Sequence, residues 1–341
     1  MDEAIDVFCH CLTPRFCNRA LEVCVTPPLM WTRALNMKVM VDIEARLSLM
    51  KGFPGYRQIP SLASPPIEML GTPEETPELA RIANDELAEM CQQRLDEFPS
   101  FVASLPLNNP EESMVEAERA TRDLGAAGIQ IFTPVLGRAV DQPEILQLFE
   151  LMGTLGKAVW LHPAGGMNRP DYQGEKVSRF ESWWTLRWPY ESSLAMYRLI
   201  FTGIFDRYPD LPIVTHHSGG MIPMMAGRLG SGLELLGTRT PPEMEEAIAP
   251  AIGEKPLEAM RRFYADTATF GSRSAIECGL EFFGPDRMLF ASDMPFDPEE
   301  GPGYIRETLK AIGEMNISDE DRQKVLSGNA ERIFRLKREG E

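Results

Sequence analysis

Short apolar runs recur along the chain, and between most of them the apolar positions fall three or four residues apart. The runs read as buried strands at 5–10, 56–63, 101–107, 128–135, 158–162, 212–217, 264–269 and 288–293. The three-and-four spacing predicts helices over 77–98, 112–124, 144–155, 192–208 and 272–283. Eight strands, most followed by a helix, point to a parallel sheet with right-handed crossovers. Eight is also the count that closes into a (β/α)8 TIM barrel. Two stretches, 26–53 and 165–189, carry neither period. Each follows the C-terminal end of a strand, where such a barrel builds its active site. The reading is one domain over 1–341 with these two excursions.

Composition narrows the function classes. The net charge of −17 over 341 residues argues against nucleic-acid or anionic-membrane partners, both of which need basic patches. No apolar stretch reaches the roughly 18 residues of a membrane span. The acidic start, Met1-Asp2-Glu3, is unlike a secretory signal. The six cysteines include one close pair, Cys9 and Cys11, at a spacing foreign to zinc ribbons and redox motifs. Reduced cysteines and a cytoplasmic protein are expected.

Candidate chemistry gathers at the strand ends. The chain has four histidines, His10, His162, His216 and His217, and all four stand at the C-terminal end of a predicted strand; Asp293 ends the eighth. In a barrel these ends share one mouth, and imidazoles with a carboxylate suit Zn²⁺ or Mn²⁺. Alternation puts Phe8 and His10 on one side of the first strand and Cys9 and Cys11 on the other, making the thiols packing residues. It also sends His216 and His217 to opposite sides if their strand stays regular to its end. Asp266 either orients a histidine from behind or caps the helix that starts near Ser272.

In order along the chain, "IDVFCH", "VWLHPAG", "RWPYESSLAM", "THHSGGMIP", "FYADTATF", "LFASDMPF" and "LSGNAERIF" resemble the amidohydrolase superfamily. The narrower resemblance is to its branch of aminocarboxymuconate-semialdehyde, γ-resorcylate and related aromatic-acid decarboxylases. It implies His10, His162 and Asp293 as ligands of one divalent ion, Zn²⁺ or Mn²⁺. His217, selected by the His-x-Gly-x-x-x-Pro pattern, becomes the substrate-facing acid, base or polarising group. Glu191, in the aromatic-Pro-x-Glu segment, becomes a supporting carboxylate. Arg239 stands where relatives place a carboxylate-binding arginine, and a homodimer is implied.

Arg57 is a candidate for a substrate carboxylate, or else a surface cation at a strand start. Trp184, Trp188 and Phe296 are candidate pocket walls. The departure is Phe8, where relatives carry His or Glu. Either three ligands hold the ion more weakly and Phe8 packs against substrate, or the ion is lost. The expected function is metal-dependent, non-oxidative decarboxylation of a small anionic hydroxy- or amino-substituted aromatic or muconate-type acid. Asp293 would then deliver the proton or activate water, with His217 orienting substrate or relaying the proton. The alternatives are a metal-dependent carbon–carbon hydrolase or hydratase of ring-cleavage products, and a non-catalytic binding protein on the same barrel.

Overall fold

The computed structural model describes residues 3–336 apart from 25, 234, 236, 237, 242, 245, 246, 248, 249 and 251. All eight predicted strands form: β1 (Ala4–Cys11), β2 (Tyr56–Leu62), β3 (Val102–Ala103), β4 (Gly128–Thr133), β5 (Ala158–Pro163), β6 (Ile213–Thr215), β7 (Tyr264–Asp266) and β8 (Met288–Leu289). β1 pairs with β2, and β3 to β8 pair in sequence order, every pair parallel. Such strands are covered on both faces, which explains their near-continuous apolar runs. β3, β6, β7 and β8 are shorter than the apolar runs suggested, because the ladders stop where the chain turns into the mouth.

The helices alternate with the strands as a (β/α)8 barrel requires. Their ends follow local chemistry. The helix Pro110–Arg122 opens with Asn109 accepting the Glu112 N–H at 3.2 Å and a proline in its first turn. The helix Pro143–Leu155 stops at Gly156, whose φ of +62° suits a residue without a Cβ.

Between β8 and β1 the barrel closes through backbone bonds rather than a regular ladder. Val7 N–H donates to Phe290, Asp293 N–H to Phe8, and His10 N–H to Met294, at 3.0, 2.9 and 2.9 Å. β1 is bulged, its register shifting between Asp6 and Cys9. A bulge lets two successive residues keep to one face. Ile5, Val7 and Phe8 therefore all pack in the cluster with Trp160, Val214 and Leu289, while Cys9 and Cys11 join the separate cluster containing Leu87 and Phe101.

Asp6 adds to this seam: it accepts both donors of Ser292, along with the Tyr56 hydroxyl at 2.6 Å and the Phe8 N–H at 3.1 Å. Burial pushes its carboxyl up, opposed by these bonds, to about 6. At the other end of the barrel Trp160 stacks on Phe334 of the closing helix, ring centroids 4.7 Å apart.

The excursion 26–53 is ordered into three short helices, Leu29–Leu35, Lys38–Val41 and Ile43–Met50. They pack Trp31 and Met40 against Phe16 and Leu62 in a satellite core. The last of them buries Arg46, whose guanidinium donates to the His10 carbonyl at 2.7 Å and to Gln58 at 2.6 Å. Among the described residues no helix is long and apolar enough to cross a membrane.

Candidate active site

The four imidazoles and Asp293 meet in one place. β1 delivers His10, opposite Ser61 of β2 in the ladder, and Ser61 Oγ lies 3.2 Å from His10 Nδ1. His10 Nε2 is 3.2 Å from one Asp293 oxygen, and His217 Nε2 is 3.6 Å from the other. A single carboxylate thus stands between two imidazoles. β5 delivers His162, whose ring centroid is 5.3 Å from that of His10 and whose Nδ1 meets the Pro163 carbonyl at 2.6 Å.

Strand alternation does not separate His216 from His217. β6 ends at Thr215, and His217 and Ser218 adopt φ of +57° and +55°. The chain reverses there and both rings turn inward, their centroids 6.3 Å apart. Asp293 likewise has φ of +63°. Left-handed backbone at non-glycine residues costs energy and clusters at functional sites.

Asp266 acts as an orienter, but of His216: its carboxylate accepts His216 Nδ1–H at 2.7 Å and the Ala268 N–H at 3.0 Å. It does not cap the helix beginning at Arg273, whose preceding residue Ser272 also makes no capping bond. His216 Nε2 and His217 Nδ1 are buried without hydrogen-bond partners among the described residues.

The electrostatics follow from burial and from these pairs. Burial pushes the Asp293 carboxyl up, but its contacts with His10 and His217 win and hold it well below the usual carboxylate range. Burial pulls His217 down, yet Asp293 outweighs it and the imidazole is raised. Burial, reinforced by neighbouring imidazoles, holds His162 and His216 well below the ordinary value. Burial lifts Asp266 to about 7.

Phe8 is 1% exposed and touches all four histidines. Its ring stacks on His216 with centroids 3.5 Å apart and planes 17° off parallel. Centroids of His10, His162 and His217 lie 4.5, 5.2 and 6.0 Å away. Phe132 adds a wall 4.6 Å from His162, Trp188 one 5.7 Å from His162, and Phe296 one 5.6 Å from His10. Phe270 lies 6.5 Å from His217 and Trp184 lies 6.4 Å beyond it.

Glu191 secures the excursion 165–189. It accepts the Gly165 N–H and an Arg169 N–H, both at 2.8 Å, while Trp188 Nε1–H donates to the Gly165 carbonyl at 2.8 Å.

Two sequence candidates are not brought to this centre. Arg57 begins β2 at the opposite end of the barrel and pairs with Glu331 of the closing helix at 3.3 Å, so its role is to tie that end. Arg239 is exposed on a turn, and no contact among the described residues links it to the histidines. Sequence reading missed Ser61, Phe132, Phe270 and the inward turn of His216. Ser61 becomes legible once the register with His10 is known; the others meet the site only through the closed barrel. The residues expected as ligands do share the mouth. Even so, among the described residues no group of three or more His, Cys, Asp or Glu side chains is arranged to hold a metal ion.

Comparison with known proteins agrees with this architecture. The chain is 29% identical over 310 residues to a γ-resorcylate decarboxylase of Rhizobium sp. (strain MTP-10005), covering 87% of this chain and 88% of that one. It is 28% identical over 259 residues to a 2-amino-3-carboxymuconate-6-semialdehyde decarboxylase of Dictyostelium discoideum, covering 76% and 67%. A solved dihydroxybenzoic acid decarboxylase from Polaromonas sp. JS666, with bound manganese and the inhibitor 2-nitroresorcinol, superposes with a TM-score of 0.78 at 25% identity, covering 99% and 98%. The family model described as amidohydrolase matches residues 42–336, most of the barrel though not β1, and the chain belongs to that family.

Proposed function

We propose that the protein is a non-oxidative decarboxylase of a small hydroxy-substituted aromatic carboxylic acid. The observation that carries this reading is the Asp293 carboxylate set between the imidazoles of His10 and His217 in an aromatic-walled mouth. The similarity to decarboxylases of dihydroxybenzoic and carboxymuconate substrates supports the reaction class.

The Polaromonas relative holds manganese. Among the described residues no three-donor centre is arranged, and the side chains present supply the acid and its counter-charge. A planar substrate ring enters between Trp188 and Phe296. Asp293 raises the proton affinity of the His217 imidazole, which has no partner at Nδ1 among the described residues and carries there the proton to be transferred. That proton passes to the ring carbon bearing the carboxylate. The bond to the carboxyl carbon then breaks, its electron pair returns to the ring and CO₂ leaves, while a ring hydroxyl ortho or para to the carboxylate stabilises the charge. Neutral His217 regains a proton from solvent. Asp293 stays ionised throughout, holding the imidazolium rather than donating the proton itself.

A panel of hydroxybenzoates and carboxymuconate analogues, assayed for CO₂ release, tests the reading. Asp293→Asn and His217→Ala are each expected to lower turnover about 10²–10⁴-fold, the range for a positioned acid or base. Wild-type rates in either folded variant would refute the assignment. Incorporation of labelled water oxygen into product without CO₂ would favour the hydrolase or hydratase alternative.

A further inference from the structure

We infer that this centre retains no divalent cation, because the phenyl ring of Phe8 holds space that an ion and its ligands would need. The inference deepens the proposed function, on which it rests for the chemistry though not for the binding test.

Ligands around one Zn²⁺ at about 2.1 Å stand roughly 3.4 Å from one another. His10 Nε2 and Asp293 Oδ1, at 3.2 Å, meet that spacing. The set does not continue: among the described residues no group of three His, Cys, Asp or Glu side chains that could hold an ion is completed around this pair. The centroids of Phe8, His10 and His162 form a nearly equilateral triangle with sides of 4.5, 5.2 and 5.3 Å. One corner of the grouping of β1 and β5 side chains is therefore a hydrocarbon face.

That ring is fixed. On one side it lies flat against His216, itself held by Asp266 at 2.7 Å. On another it meets the edge of His10 at 79°. Its own N–H and carbonyl are tied to Asp6 and to the Asp293 N–H. Moving the phenyl aside would break the His216 stack and open a void in a packed interior. The Nε2 of His216, without a partner among the described residues, belongs to a ring stacked flat on the phenyl, so its in-plane lone pair does not point at the corner the phenyl fills.

The test is metal retention, which needs no turnover. Wild-type protein and Phe8→His are each equilibrated with Mn²⁺ or Zn²⁺, desalted and analysed for metal per chain. Thermal unfolding is recorded with and without the ion. The wild type should keep far less than one ion per chain and show an unmoved melting temperature. Phe8→His, or Phe8→Glu should the first fail to fold, should retain close to one and melt higher with the ion. If wild type keeps one equivalent, or a chelator abolishes CO₂ release and Mn²⁺ restores it, the inference is overturned. It is overturned equally if folded Phe8 variants bind no better than wild type, since the ring would then not be the obstacle. Failure of every substrate would instead count against the proposed function and leave these readings intact.

Discussion

Glu68 gives a test of the barrel's electrostatics that is independent of substrate. It lies in the short helical turn Ile67–Met69 just beyond β2, 4% exposed, and its Oε1 has no hydrogen-bond partner among the described residues. Burial pushes its carboxyl up to about 8, while backbone bonds and the Arg138 charge pull weakly the other way. The folded chain therefore holds the proton to about pH 8, whereas an unfolded glutamate releases it near 4.5. Between those values the native state binds more protons than the unfolded state, so stability falls as pH rises. Its contribution is full below 4.5 and lost by the time pH passes 8. At about 1.4 kcal/mol per tenfold change in proton affinity, the span comes to about 5 kcal/mol.

Glu68→Gln keeps the shape and removes the titration. Urea unfolding of both proteins from pH 5 to pH 9 is the assay. Other groups titrate in both proteins and cancel in the difference. The variant should gain on wild type steadily from pH 5 and level off above 8. Curves that stay parallel across that range would refute the neutral-carboxyl argument.

Two further outcomes follow from the site's supports. Gly165→Ala would place a Cβ 2.3 Å from a Glu191 carboxylate oxygen, forcing that side chain off the Gly165 amide. Loosening Trp188 with it should raise KM severalfold at a stability cost of about 1–3 kcal/mol, and an unchanged KM in a steady-state assay would show that the strap does not shape the pocket. Asp266→Asn takes the buried carboxylate from His216 Nδ1 and from the amides of Ser218 and Ala268. It should lower stability by about 1–3 kcal/mol and change the His216 tautomer signature in nitrogen NMR, and neither change would mean that Asp266 does not fix the ring.

The strands were legible because parallel strands buried on both faces stay apolar along their length. Alternation also separated Phe8 and His10 from Cys9 and Cys11. It could not reveal the bulge between Asp6 and Cys9, which exists only against the partner strand. It misjudged His216 for a related reason: the ladder ends at Thr215 and the next residues reverse the chain. Arg57 stands at a strand start, and parallel strands put every start at the end away from the mouth, where it pairs with Glu331. Phe132 and Phe270 carry no motif, and only closure of the sheet brings them beside His162 and His217.

The ends of β6 and β8 explain why the site lies where it does. Both ladders stop early, at Thr215 and Leu289, and a few residues later His217 and Asp293 take left-handed backbone. A regular strand could not hold either conformation. The segment after β8 is nonetheless stitched to β1 through the Phe8 carbonyl and the Met294 carbonyl, at 2.9 Å each. Phe8 therefore serves the site twice, its backbone fixing Asp293 and its ring filling the floor among the imidazoles. The two roles separate cleanly under substitution, since any L-residue at position 8 keeps the carbonyl. A change in ion retention at Phe8→His thus reports on the ring, while the spacing of Asp293 from His10 is held by the chain.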